Sequence, residues 1–149
     1  MELYPDFKEL LALFNARNVE YVIAGGYALA FHGAPRYTGD LDILVRSDPQ
    51  NAQRVVEPLG ALGFASVDIA VEDFASPEKV LQLGFPPVRV DIITSLTGVL
   101  WDEVYAGRVA GNYGDVPVHF IGRKEFVANK RATGRPQDLA DLRALGESL

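Results

Sequence analysis

The chain has 149 residues, 48% of them hydrophobic and 23% charged; that length buries enough surface to fold without a staple. No cysteine is present, which excludes a disulfide framework, a thiolate metal site and a cysteine nucleophile together. Fourteen Lys and Arg stand against 20 Asp and Glu, a formal charge of −6 that excludes a uniformly basic nucleic-acid-binding surface.

Residues 5–18 read as a helix: Pro5 suits the first helical position, and Asp6 and Glu9 suit the positive end of the dipole. Phe7, Leu10, Leu11 and Phe14 follow at i, i+3, i+4 and i+7, one apolar stripe. Tyr21 to Ala24 reads as a buried strand stopped by Gly25-Gly26, and a short helix then runs towards Gly33-Ala34-Pro35. Asp40 to Val45 alternates strictly, with Leu41, Ile43 and Val45 on one face and Asp40, Asp42 and Leu44 on the other. Asp48-Pro49 opens a helix carrying Ala52, Val55, Val56 and Leu59, which Pro58 is expected to kink or shorten. Strands are expected at 64–71, 80–83 and 88–93, the last with Arg89 and Asp91 opposite its apolar face.

A short helix is expected around Trp101–Tyr105. A hairpin of 108–112 and 116–121 follows, turning on Asn112-Tyr113-Gly114-Asp115. Helices over 124–132 and 136–145 close the chain, with Gly134 as the cap between them. Together these elements describe an α/β (α+β) chain: a mixed sheet flanked by helices, with a short C-terminal helical segment. Charge marks a sub-boundary. Residues 1–122 hold 8 basic and 16 acidic side chains, and residues 123–149 hold 6 and 4. The expected division is a core of 1–122 and a basic helical extension, 123–149, packed on it. No apolar run is long enough to span a bilayer, and the first residues do not read as a signal peptide, so a cytoplasmic protein without membrane partners is expected.

Chemistry concentrates between Ala24 and Ile43. A helix opening at paired glycines offers unblocked N–H groups and a close approach for an anion. Asp40 and Asp42, at i and i+2 on a strand, project from one face and can share divalent cations. If the strand of Asp91 lies beside theirs, three carboxylates face the glycine turn, an arrangement suited to two-Mg²⁺ phosphoryl or nucleotidyl transfer.

The run Ala24-Gly25-Gly26, thirteen residues, then Asp40-Leu41-Asp42-Ile43 resembles the signature of the polymerase β-like nucleotidyltransferases. Arg36, Thr38 and Gly39 ahead of the aspartates make it similar to the minimal nucleotidyltransferases and to members grouped with AbiEii-type abortive-infection toxins. Lys130, Arg135-Pro136, Asp138 and Asp141 resemble the terminal helix of those small members. The resemblance implies a nucleotidyltransferase fold and transfer of NMP from an NTP to a hydroxyl, releasing pyrophosphate. It further implies that Asp40 and Asp42 hold two Mg²⁺ ions (or Mn²⁺), that Asp91 binds the catalytic ion, and that Gly25 and Gly26 cradle the triphosphate.

Arg36 and Thr38 are candidates for phosphate contact or simply residues of a turn and a strand start. Lys130 is a candidate for the β- and γ-phosphates or a solvated charge, and Arg135 is a candidate partner of Asp138 or Asp141. His32 is expected to pack or cap, and Trp101, Tyr105 and Phe126 to belong to the core. The acceptor is left open among RNA, protein and a small molecule, as are a toxin–antitoxin role and a homodimer or partner protein. The alternative class is a non-catalytic binding module of the same fold for a protein or RNA. A glycosyltransferase reading of Asp40-x-Asp42 leaves the glycine pair without a role.

Overall fold

In the computed structural model, which describes residues 3–36, 38–62, 69–85 and 87–149, helices alternate with the strands of a single mixed sheet. Helix α1 (Pro5–Ala16) buries Phe7, Leu10, Leu11 and Phe14, the predicted stripe, completely. Strand β1 (Tyr21–Ala24) runs into α2 (Gly25–Phe31), and β2 (Asp40–Val45) returns antiparallel to β1. Helix α3 (Pro49–Ala61) starts at Asp48, whose carboxylate accepts the Asn51 N–H at 2.7 Å. Asn51 is itself buried, and its amide bonds Glu20 N and O and Arg46 O, so one side chain clamps the start of β1 to the end of β2.

Pro58 neither ends α3 nor shortens it by a turn: the helix continues to Ala61. Pro58 removes one helical N–H donor, and it is buried together with Leu59. Of the strand expected at 64–71, residues 64–68 lie outside the described residues, and Val71 opens a 3₁₀ turn, Val71–Asp73, instead.

Strands β3 (Val80–Phe85) and β4 (Val88–Ile93) form an antiparallel hairpin, and β4 pairs in parallel with β2. After α4 (Trp101–Ala106), strands β5 (Val109–Tyr113) and β6 (Val116–Phe120) pair antiparallel. Their turn lies one residue later than predicted. Asn112 is already paired with Pro117, and Gly114, at φ +62°, makes the reversal with Asp115; a left-handed turn position favours the glycine over Asn112. Strand β6 lies parallel to β1, giving the order β3-β4-β2-β1-β6-β5.

Helices α5 (Arg123–Thr133) and α6 (Pro136–Ala144) end the fold, with Gly134 in the left-handed cap. Phe126 of α5 is buried in the same apolar cluster as β1, β2 and β4. Trp101 is partly buried and packed against the core, whereas Tyr105, partly buried, is not among the core-packed residues, a correction to its core assignment. Their rings stack with centroids 5.2 Å apart, and the Arg108 guanidinium lies over Tyr105. No helix among the described residues is long and apolar enough to cross a membrane.

Candidate active site

The site is built by register. In the sheet Asp42 stands opposite Asp91 on β4 and opposite Ala24 on β1, while Asp40 stands opposite Arg89. Paired residues share a face, so Asp40, Asp42, Asp91 and Arg89 all project from one side of the sheet. One carboxylate oxygen from each aspartate lies within 4.8 Å of the others.

Such crowding is costly to charged groups. Burial, then the charges of Asp91 and Asp40, push the Asp42 carboxyl up to about 7, and Lys130 only partly offsets them. Asp91 is also raised, by burial and by Asp40, against the opposing charge of Arg89. Arg89 Nη2 donates to Asp40 Oδ2 at 2.9 Å. Asp91 Oδ1 is buried without a hydrogen-bond partner. A buried carboxylate oxygen left bare, beside two further hard oxygen donors, fits a divalent cation of the Mg²⁺ or Mn²⁺ type. The trio can therefore hold a metal.

The glycine pair abuts these acids. Gly25 adopts φ +61°, and a Cβ there would fall on the Asp42 carboxylate. A Cβ on Gly26 would come within 2.7 Å of Thr38 Cβ. Both glycines are thus required by close approach, one by the acid and one by Thr38. Thr38 also donates to the Asp40 carbonyl at 3.2 Å, fixing the entry into β2.

Arg36 and Lys130 meet in an ionic network around the buried Asp138 and Asp141 of α6. Arg36 binds Asp141 through two nitrogens, at 2.9 and 3.2 Å. Lys130, 8% exposed, lies 3.1 Å from Asp138 and 3.4 Å from Asp141, each 1% exposed. Lys130 is therefore not a solvated charge. Arg135 pairs with Asp138 and not Asp141. Burial acts to raise Asp138, but bonds from Arg135, Thr133 and Lys130 hold it well below the usual carboxylate range. Three cations against two anions leave the network net positive next to an acidic trio. His32 caps α2, its Nε2 donating to Ile121 O at 2.8 Å, a structural role as expected.

Two features escaped the sequence. The partnership of Arg89 with Asp40 needs the parallel β2–β4 register, although its alternation with Asp91 put both on one face. The sequence does not show the double use of Asp138 and Asp141 as counter-ions of Lys130 and Arg36, although it names both as candidate partners of Arg135.

The sheet order, the trio and the flanking helices define a nucleotidyltransferase fold. Among solved structures, the chain resembles TM1012 of Thermotoga maritima, provisionally assigned as a nucleotidyltransferase, with a TM-score of 0.66 and 16% identity over 95% of this chain and 93% of that one. The lincosamide antibiotic adenylyltransferase LnuA, lincomycin-bound, matches with a TM-score of 0.64 and 16% identity, over 98% of each chain. The antibiotic-resistance factor ANT(2'')-Ia matches at 0.61 and 14% identity, over 94% of this chain and 80% of its own. No protein-family model and no curated protein sequence matches the chain.

Proposed function

We propose that the chain is an enzyme, a divalent-metal-dependent nucleotidyltransferase that moves NMP from an NTP to a hydroxyl. The observation that carries this reading is the three-carboxylate cluster, Asp40, Asp42 and Asp91, built against a glycine pair that tolerates no side chain. Bound Mg²⁺ supplies charge neutralisation and makes the acceptor hydroxyl more acidic. Asp40 and Asp42 would hold both ions and Asp91 would hold one of them. The Gly25 and Gly26 N–H groups donate to the triphosphate oxygens, and the positive network of Arg36, Lys130 and Arg135 draws it towards α6. The acceptor oxygen bonds to the α-phosphorus, the bond to pyrophosphate breaks, and the hydroxyl proton is released. Positioning and fixed charge supply most of the acceleration.

The acceptor is a small hydroxyl compound without phosphates. On the far side of Asp91, β3 presents Gln82 and Gly84, and Val80 is 60% exposed. Apart from Arg89, no cation stands on β3 or β4 there to neutralise a polynucleotide backbone. LnuA, of equal span, is an adenylyltransferase of an antibiotic. A non-catalytic binding module leaves the carboxylate crowding without a purpose.

Incubation with each labelled NTP, Mg²⁺ and separate pools of small molecules, RNA and protein tests the reading. Label is expected in the small-molecule pool and absent with Asp42→Ala. Labelled RNA or protein instead would overturn the small-molecule acceptor while keeping the transfer. A folded protein that takes up neither Mg²⁺ nor NTP would sink the proposal.

A further inference from the structure

Arg89 is the cation, among the described residues, that bonds the acidic trio directly. Its grip is incomplete. Nη2 reaches Asp40 Oδ2 at 2.9 Å, but Nε lies 3.6 Å from Asp91 Oδ1, and both of these buried atoms lack a hydrogen-bond partner. An arginine locked on a carboxylate uses its planar fork, as Arg36 does on Asp141 with two bonds. Arg89 makes one hydrogen bond, to Asp40, and a looser ion pair with Asp91, and its side chain is 31% exposed, which leaves it a way out.

The atom it holds belongs to the metal-binding set. A divalent cation bridging Asp40, Asp42 and Asp91 needs the Asp40 carboxylate, and a guanidinium at hydrogen-bond range repels that cation. The same guanidinium stabilises the trio before any metal arrives, because three adjacent carboxylates otherwise repel one another. We propose that Arg89 is the resident counter-ion of the metal-free site and withdraws from Asp40 when a divalent cation binds, so that competition between guanidinium and ion sets the metal affinity. Arg89 is in this sense a positioning residue, acting through the carboxylates. The inference rests on the metal-holding reading above.

The test is Mn²⁺ binding, by electron paramagnetic resonance and calorimetry, to the wild type, Arg89→Met and Arg89→Gln, with Asp42→Asn as the control. Melting in EDTA accompanies it. Loss of the charge is expected to tighten Mn²⁺ binding about tenfold, about 1.4 kcal/mol, to lower the melting temperature in EDTA at pH 8, and to widen the rise on adding Mn²⁺. Arg89→Gln retains a polar donor and guards against a Met variant that does not fold. Equal or weaker Mn²⁺ binding by the neutral variants, with the wild type still binding, overturns the competition and leaves the metal site intact. Absence of Mn²⁺ binding by the wild type overturns both.

Discussion

A carboxyl held near neutrality is a proton switch on the site's own ligand. The folded chain keeps the Asp42 proton up to about pH 7, whereas the unfolded chain releases it near about pH 4. Between those values the folded state binds more protons, so the metal-free protein loses stability as pH rises through the window. Asp42→Asn removes the Asp42 share of this slope. The expected result, by thermal melting in EDTA, is a flatter profile from about pH 4 to about pH 7 and a higher melting temperature at pH 8 than the wild type. The same variant is expected to lose nucleotidyl transfer by roughly a hundredfold or more, separating its structural benefit from its functional cost. Gly25 belongs to the same scale. Gly25→Ala places a methyl on Asp42 and forces a left-handed backbone on a residue with a side chain. It is expected to destabilise by about 1–3 kcal/mol in urea unfolding and to weaken Mn²⁺ binding.

Among the elements, α6 contributes through charge more than through apolar area, with Asp138, Asp141 and Leu142 as its buried residues. Asp138 accepts bonds from Lys130, Thr133, Arg135 and the Arg135 backbone N–H, so α5 and α6 close on one carboxylate. Asp138→Ala leaves Lys130 buried with a weakened partner set, and urea unfolding is expected to show a loss of about 3–5 kcal/mol. The smaller Asp138→Asn change is expected to cost less, because the amide oxygen can still accept from Thr133 or the Arg135 N–H. The depressed Asp138 carboxyl makes a contribution that is complete above its unfolded value and is lost as pH falls. That runs opposite in sign to Asp42, and the two variants therefore shift the pH profile at opposite ends.

At the scale of the whole molecule, the parallel pairing of β2 with β4 is decisive, because it sets Asp91 beside Asp42 across 48 intervening residues. A cation bound there couples metal to folding. Mg²⁺ is expected to raise the melting temperature more at pH 8 than at pH 5, since protonated carboxyls bind metal poorly; equal shifts at both pH values contradict the three-carboxylate site. The core extends through Phe126 into α5, so the basic end of the chain shares apolar packing with the acidic sheet.

The sequence by itself determined the local elements and the chemical inventory. The stripe of α1, the alternation of β2 and β4, Asp48 as a cap and Gly134 as a left-handed stop follow from periodicity and backbone sterics, which are properties of neighbouring residues. The glycine pair and the two aspartates of β2 were legible for the same reason, lying within one strand–turn–helix–strand unit. Where α3 ends beyond Pro58 was not legible locally: the helix continues to Ala61, with Pro58 and Leu59 buried. Only the tertiary structure decided which strand faces which. That register placed Arg89 on Asp40 and brought Asp91 into the trio, and the packing of α5 and α6 joined Lys130 and Arg36 to the buried Asp138 and Asp141. Those pairings join residues 49 to 105 positions apart, or from separate helices. Their energies depend on burial and on charge at short range, quantities that no run of adjacent residues encodes.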